Sequence, residues 1–315
     1  MKPWLSPLLC VTSLLGQSPK VRLPDQVAGS DGIAGALVSA FDQVEIVALG
    51  EAHQRQLDSD LRIAIVRHPD FAKKVRFVVV EFGSTTEQPT LDRYIRGGNV
   101  PPSQLAQVWK TTTQAANGVW DSPVYPAFLA AIRDVNLRLP ADAKIRVLGG
   151  DPGPGDNRHR EVAAASVLKE QVLEHHGKAL VIYGAAHFYR GMGERQDYTA
   201  SMGGDLGLVS LLDKAYPGRT LVVIPVGQLE RPRPVAADTP PDYLKLDRAL
   251  KTQARPVLVS LQGSLFRDLK AEEFLGRTLT TCRGPNGCTS VFRGSTLTLG
   301  QMADAFVYFG GEPSR

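Results

Sequence analysis

Four segments of this chain run apolar and then stop on a carboxylate or an imidazole: residues 44–53 (VEIVALGEAH), 76–82 (RFVVVEF), 144–151 (KIRVLGGD) and 178–188 (KALVIYGAAHF). The groups delivered at the ends are Glu51, His53, Glu81, Asp151 and His187. Carboxylates and imidazoles hold metal ions and move protons near neutral pH. One such ending carries little weight; four together mark a candidate site.

Each run is short, rich in β-branched residues and free of polar alternation, which is the pattern of a buried parallel strand. In an open parallel α/β sheet, ligands bind at the C-terminal edge, where these groups fall. Glu51 and His53 are two apart, so a continuing strand turns both to one side. Gly50 lets the backbone bend there. Each residue also has a plainer reading. Glu51 could cap a helix, and His53 could be a hydrogen-bonded loop histidine. Glu81 follows apolar residues, so its carboxylate is costly unless paired or functional; Arg160 is a candidate partner. His187 follows Gly184, Ala185 and Ala186, which leave room beside the ring; it could be a satisfied core histidine. The remaining histidines read as structural or solvent-facing. His68 precedes Pro69, His159 starts a helix, and His175 and His176 end one before Gly177, where the helix dipole favours imidazolium.

Residues 32–41, 56–68, 158–176 and 206–215 carry helical patterns between the strands, and residues 219–226, 256–263 and 305–310 read as further strands. This alternation predicts an α/β fold: a doubly wound, mainly parallel sheet with helices on both faces. Residues 84–140 are too long for one crossover. They hold Tyr94, Trp109, Trp120 and Tyr125 and are expected to form a helical insertion that caps the site. The expected organisation is one α/β domain over residues 30–315.

The net charge of +4 is modest and the basic residues are scattered, so nothing favours nucleic acid. After the N-terminus no run of apolar residues is long enough to span a bilayer. Residues 1–18 (MKPWLSPLLCVTSLLGQS) have one lysine, an apolar core and then small residues, the order of a secretory signal. Cys10 lacks the small preceding residue of a lipoprotein box. Cys282 and Cys288 flank a Gly/Pro/Asn turn and could be bridged in an oxidising compartment or be two free thiols. Zinc is disfavoured there, because no further Cys or His lies nearby.

The set GEAH (50–53), VVVEF (78–82), RHREVAAA (158–165) and GAAHF (184–188) resembles the erythromycin esterase-like, ChaN-like and Tiki superfamily, as does the tail ADAFVYFG (303–310). Arg160 takes the place of the family arginine, with Glu161 where Asp is usual and Ala164 where Met is usual; Arg158 is the alternative. The resemblance implies three outcomes. Erythromycin esterases open a lactone by histidine-activated water without a required metal. Tiki-type proteins are metal-dependent proteases. ChaN-like proteins bind haem without being known enzymes. The corresponding cofactor expectations are none, a divalent metal (Zn or Mn), or haem, for which Tyr189 is a candidate axial ligand. The expected catalytic set is Glu51, His53, Glu81, Arg160 and His187, supported by Asp151. His53, alone or with His187, is the expected base, acting on a small-molecule or peptide substrate.

The signal-like start predicts an exported chain. N-terminal sequencing of natively produced protein is expected to begin near residues 17–20; an intact Met1 on cytoplasmic protein would overturn that.

Overall fold

In the computed structural model, which describes residues 21–191, 207–226, 249–250, 254–271, 280–282, 288–290 and 296–310, every one of the apolar runs forms a strand. Residues 1–18, with Cys10, lie outside the described residues. The chain opens with β1 (Gln26–Ala28), α1 (Ser30–Ala40), β2 (Ile46–Glu51), α2 (Gln56–Arg67), α3 (Phe71–Lys74) and β3 (Phe77–Ser84). A helical stretch follows, α4 (Gln88–Ile95), α5 (Pro102–Leu105), α6 (Gln107–Lys110) and α7 (Val124–Asn136), before β4 (Arg146–Asp151). Then come α8 (Arg160–Gln171), β5 (Ala179–Gly184), α9 (Leu208–Ala215), β6 (Thr220–Val226) and β7 (Val257–Ser260). The last elements are β8 (Thr280–Cys282), β9 (Cys288–Ser290), α10 (Leu299–Met302) and β10 (Ala305–Tyr308).

Eight strands make one sheet in the order β1-β7-β10-β6-β2-β5-β3-β4. From β10 to β4 every neighbour is parallel. The mainly parallel α/β expectation therefore holds, with a reversal at one edge. β7 runs antiparallel to both β10 and β1. β1 is too short to carry a periodic signal, so the sequence did not announce it. β8 and β9 form a separate antiparallel pair that sets Cys282 opposite Cys288.

Every residue of β2, β5 and β6 is buried, because helices cover both faces. One apolar cluster joins α1, α2 and α7 to one face through Leu37, Ile65 and Phe128. The other joins α8 and α9 to the opposite face through Leu168 and Leu212. The helical insertion thus builds core as well as capping the site. Several helix ends differ from the sequence reading: α1 covers 30–40 and not 32–41, α9 begins at Leu208 and not at 206, and α8 stops at Gln171, with only a short turn at Leu173–His175 beyond it. α2 stops at Arg67, because a residue preceding proline is driven to extended backbone, as His68 is here with ψ 132°. α8 begins at Arg160, not residue 158, because Asp156 Oδ1 accepts from the Arg158 backbone N–H at 2.9 Å and holds a turn there.

The insertion is tied to the sheet by one buried amide. Asn136 donates from Nδ2 to the carbonyls of Ile95 (3.1 Å) and Ile145 (2.7 Å) and accepts from the Ile145 N–H at 2.8 Å. Asn136→Leu keeps the volume but strands three buried backbone groups. It is expected to lower unfolding free energy by roughly 2–4 kcal/mol, read from the denaturant midpoint at unchanged slope.

Candidate active site

The strand order β2-β5-β3 brings three C-terminal strand ends side by side, which is why residues 51, 81 and 187 meet. Glu51, the last residue of β2, pairs in register with Gly184, the last of β5. The β3–β4 ladder is irregular between Val80 and Ser84, and Glu81 lies in that stretch. Its carboxylate reaches across to β5, where Oε2 accepts from the Gly184 N–H at 2.7 Å. Gly184 has to lack a side chain: a Cβ there would stand 2.9 Å from His53 Cε1 and Nε2.

Glu51 is gripped from both sides. Its Oε1 lies 3.1 Å from His53 Nδ1, and its Oε2 takes a hydrogen bond from Arg62 Nη1. Arg62 is fully buried among the rings of Phe82, Tyr125 and Phe128, with the guanidinium carbon 5.8, 5.3 and 4.9 Å from their centroids. Its Nη2 donates to the Val124 carbonyl at 3.1 Å. With Nδ1 engaged by Glu51, His53 presents Nε2 toward Glu81 Oε2 at 3.9 Å, too far for a direct hydrogen bond. The His53 side chain is 30% exposed, whereas Glu51, Glu81 and His187 are buried. Trp120 stands edge-on to its ring at 4.9 Å.

His187 is used differently. Nδ1 lies 2.7 Å from Glu161 Oε1 and Nε2 lies 3.1 Å from Glu81 Oε1. Burial opposes its charge, but the Glu81 charge and the hydrogen bonds to Glu161 and Glu81 outweigh burial and raise its pKa to about 9. His187 is therefore an imidazolium at neutral pH, with both ring nitrogens donating. It is a fixed cation, not the proton acceptor that the sequence allowed it to be. For Glu81, burial raises the pKa, but the charge and hydrogen bond of His187, with His53 and Arg160, win and hold it well below the usual carboxylate range. Glu161 is likewise lowered, its hydrogen bond and charge from His187 overcoming burial. For His53, burial lowers the pKa, yet the Glu51 hydrogen bond with the charges of Glu81 and Glu51 leaves it raised above 6.5.

Arg160, at the start of α8, donates from Nη1 to Glu81 Oε1 at 2.8 Å. Arg158 instead pairs with Asp156 at 2.6 Å on the surface. Of the two arginines the sequence left open, Arg160 faces the site. Arg160 has only donors, so the carboxamide of Gln114 must present its oxygen to it, accepting from Nη2 at 2.7 Å and also from Nη1. The cluster is charge-balanced: three carboxylates (Glu51, Glu81, Glu161) against three cations (Arg62, Arg160, His187), with His53 the member left to titrate.

Asp151 is engaged by Thr113 and Gly153. Its Oδ1 accepts from the N–H groups of Thr113 (2.9 Å) and Gly153 (2.8 Å), and its Oδ2 from Thr113 Oγ1 (2.6 Å). It ties the insertion to the end of β4. Gln54 does the same beside His53: its Nε2 donates to the carbonyls of Gly118 (2.8 Å) and Val119 (3.0 Å), and its N–H donates to Tyr125 Oη at 3.0 Å. Sequence reasoning missed Arg62 and Gln114 as parts of the site; it had Trp120 only as a member of the capping insertion and Glu161 only as a motif position, with no role at His187. Glu161 could have been found, since it adjoins Arg160 in the first turn of α8. The others contact it only through tertiary folding.

Among the described residues no group of three His, Cys, Asp or Glu side chains is arranged to hold a metal ion. Both His187 nitrogens are turned to carboxylates, Glu161 and Glu81, and carry protons there, so neither is offered to a metal. The residues do not fit a metal as arranged. Nor does Tyr189 fit an exposed haem ligand, because it is buried in the apolar cluster on the α8 face.

No protein-family model matches the sequence, and no curated protein does. Solved structures match across nearly the whole chain. A Bacillus cereus protein superposes with a TM-score of 0.55 at 13% identity, covering 90% of this chain and 92% of its own. A mutant erythromycin esterase in its open conformation gives 0.54 at 10% identity, covering 87% and 92%. A succinoglycan biosynthesis protein gives 0.53 at 11% identity, covering 87% and 90%. At these identities the likeness is one of architecture, and the chain has the erythromycin esterase-like fold.

The His187 cation links the site to stability. Its folded pKa of about 9 stands above the ordinary 6.5. Its contribution is complete below about pH 6.5 and is lost as pH rises through about 9. Unfolding free energy is expected to decline across that window, and less steeply in Glu161→Gln. Nitrogen NMR at neutral pH is expected to show both His187 ring nitrogens protonated; a neutral ring would refute the assignment.

Proposed function

We propose that this chain is a hydrolase of an ester, lactone or amide, in which the Glu51–His53 pair activates water. The observation that supports this most is the division between two histidines. His187 is locked between two carboxylates, while His53 is oriented by one carboxylate and keeps Nε2 free on the partly open side. That is the arrangement of a general base: an imidazole whose far nitrogen is held by a buried anion. A water donating to His53 Nε2 and to Glu81 Oε2 is polarised by both. His53 takes its proton as the water oxygen bonds to the substrate carbonyl carbon. Arg160 faces the oxygen that gains charge. As the C–O or C–N bond breaks, His53 returns the proton to the leaving group. No Ser or Cys occupies a G-x-S-x-G elbow in the sequence, so water is the nucleophile that the chain provides for.

The test begins with a panel of lactones, aryl esters and short peptides, with and without chelator and haem. Turnover is expected to survive chelation. His53→Ala is expected to lower kcat by about 10²- to 10⁴-fold with the fold retained. The base must be neutral, so activity rises with pH through the His53 pKa; the acid limb is expected above pH 6.5 because that pKa is raised. Loss of activity on chelation would favour the Tiki-type metalloprotease reading. A histidine-dependent Soret band with no turnover would replace the enzyme by a haem-binding protein.

A further inference from the structure

Arg160 has two partners of different kinds. Glu81 is a buried anion that also holds His187 and the Gly184 N–H, so it cannot leave without stranding them. Gln114 is a neutral, half-buried carboxamide whose oxygen accepts from Nη2 and also from Nη1, the nitrogen that bonds Glu81. Its oxygen is a planar amide carbonyl, the same acceptor that an ester or amide substrate brings. The Arg160 side chain is 23% exposed, so part of it is reachable from solvent.

The backbone around Gln114 is fixed independently of this contact. Thr113 is held by Asp151 through its N–H and its hydroxyl, at 2.9 and 2.6 Å. The carbonyls of Gly118 and Val119 are held by Gln54. The Gln114 carbonyl accepts from the Asn117 N–H at 3.0 Å. The side chain can therefore rotate off Arg160 while the loop stays in place, through torsions that cost little.

We infer that Gln114 is a displaceable internal ligand of Arg160, whose carboxamide oxygen occupies the place of the substrate's carbonyl oxygen. The inference rests on the hydrolase reading for its meaning in turnover. A neutral amide competes with a ground-state carbonyl on nearly equal terms. It loses to an oxygen gaining negative charge, because charge-assisted hydrogen bonds to guanidinium are the stronger ones. Taken alone the two carbonyls are matched, but the rest of a bound substrate holds its carbonyl at Arg160; displacement is then complete in the bound state and in the transition state alike, and its cost falls on KM and not on kcat. Gln114 keeps Arg160 oriented when no substrate is present and makes a carbonyl-bearing substrate the ligand that can replace it.

The experiment compares Gln114→Ala and Gln114→Glu with the unmodified chain on an ester that is turned over. Gln114→Ala is expected to lower KM by roughly tenfold, the scale of one hydrogen bond to a charged group, with kcat within about twofold. Gln114→Glu places a carboxylate on the guanidinium and is expected to raise KM by at least that much. A fall in kcat at unchanged KM in Gln114→Ala would overturn the inference and make Gln114 a positioning residue; no change in either would also overturn it. A second arm needs no turnover. Acetate, as a simple oxygen anion, is titrated against the full chain while the arginine side-chain nitrogens are followed by NMR. Gln114→Ala is expected to bind acetate roughly tenfold more tightly than the unmodified chain, and Arg160→Gln in the same background to lose it. Equal acetate affinity with and without Gln114 would refute displacement. If no ester is hydrolysed, the hydrolase reading fails separately and the acetate arm still decides.

Discussion

The carboxylate of Glu81 is the constraint on which the site depends. It is wholly buried in the C-terminal half of β3, which runs on to Ser84 past the end the sequence suggested, and an isolated charge there would be driven to protonate. It stays ionised because Arg160, His187 and the Gly184 N–H all converge on it. Each of those partners is in turn fixed by that need. α8 must start where Arg160 can reach, β5 must end in a glycine, and His187 must be charged. Buried ion pairs are weak evidence for stability, but breaking one is costly, about 3–5 kcal/mol when one partner is removed. The cluster is held together less by net attraction than by the penalty for leaving any member unpaired.

The second layer extends this logic away from the sheet. Arg62 carries a positive charge into an aromatic box from the insertion and spends it on Glu51. Glu51 then fixes His53. A line of contacts thus runs from the rings of Tyr125 and Phe128 in α7 through Arg62 and Glu51 to His53. The insertion supplies Tyr125 and Phe128 of the box, Trp120 beside His53 and Gln114 on Arg160, so it shapes the site rather than merely covering it. Gln54, with φ 65° in the left-handed region, shows the same dependence, since its backbone N–H bonds Tyr125 and its side chain bonds the loop before α7.

Two histidines at equivalent strand ends have become chemically unlike. The difference lies in carboxylate count and burial. His187 has a carboxylate on each nitrogen and little exposure, and its proton is held to about pH 9. His53 has one bonded carboxylate, a second at 3.9 Å and open space, so its proton can be exchanged. Groups whose environments push their pKa values apart divide acid–base roles between them.

The sequence by itself determined the main strands, their mainly parallel character and the rim. Uninterrupted β-branched runs have one stable home, a sheet covered on both faces, and the polar residue ending each run falls at the edge where ligands bind. Glu51, His53, Glu81 and His187 were legible for that reason, and Arg160 through the motif at the start of α8. Asp151 had the same pattern yet serves to tie Thr113, because a strand-end carboxylate reads identically whether it meets substrate or a loop. The short strand β1, the reversed β7, the Arg62 box, Gln114 and the separation of the two histidine pKa values were decided only by tertiary structure. Each depends on residues distant in sequence coming within hydrogen-bond reach, and local periodicity carries no information about such pairs.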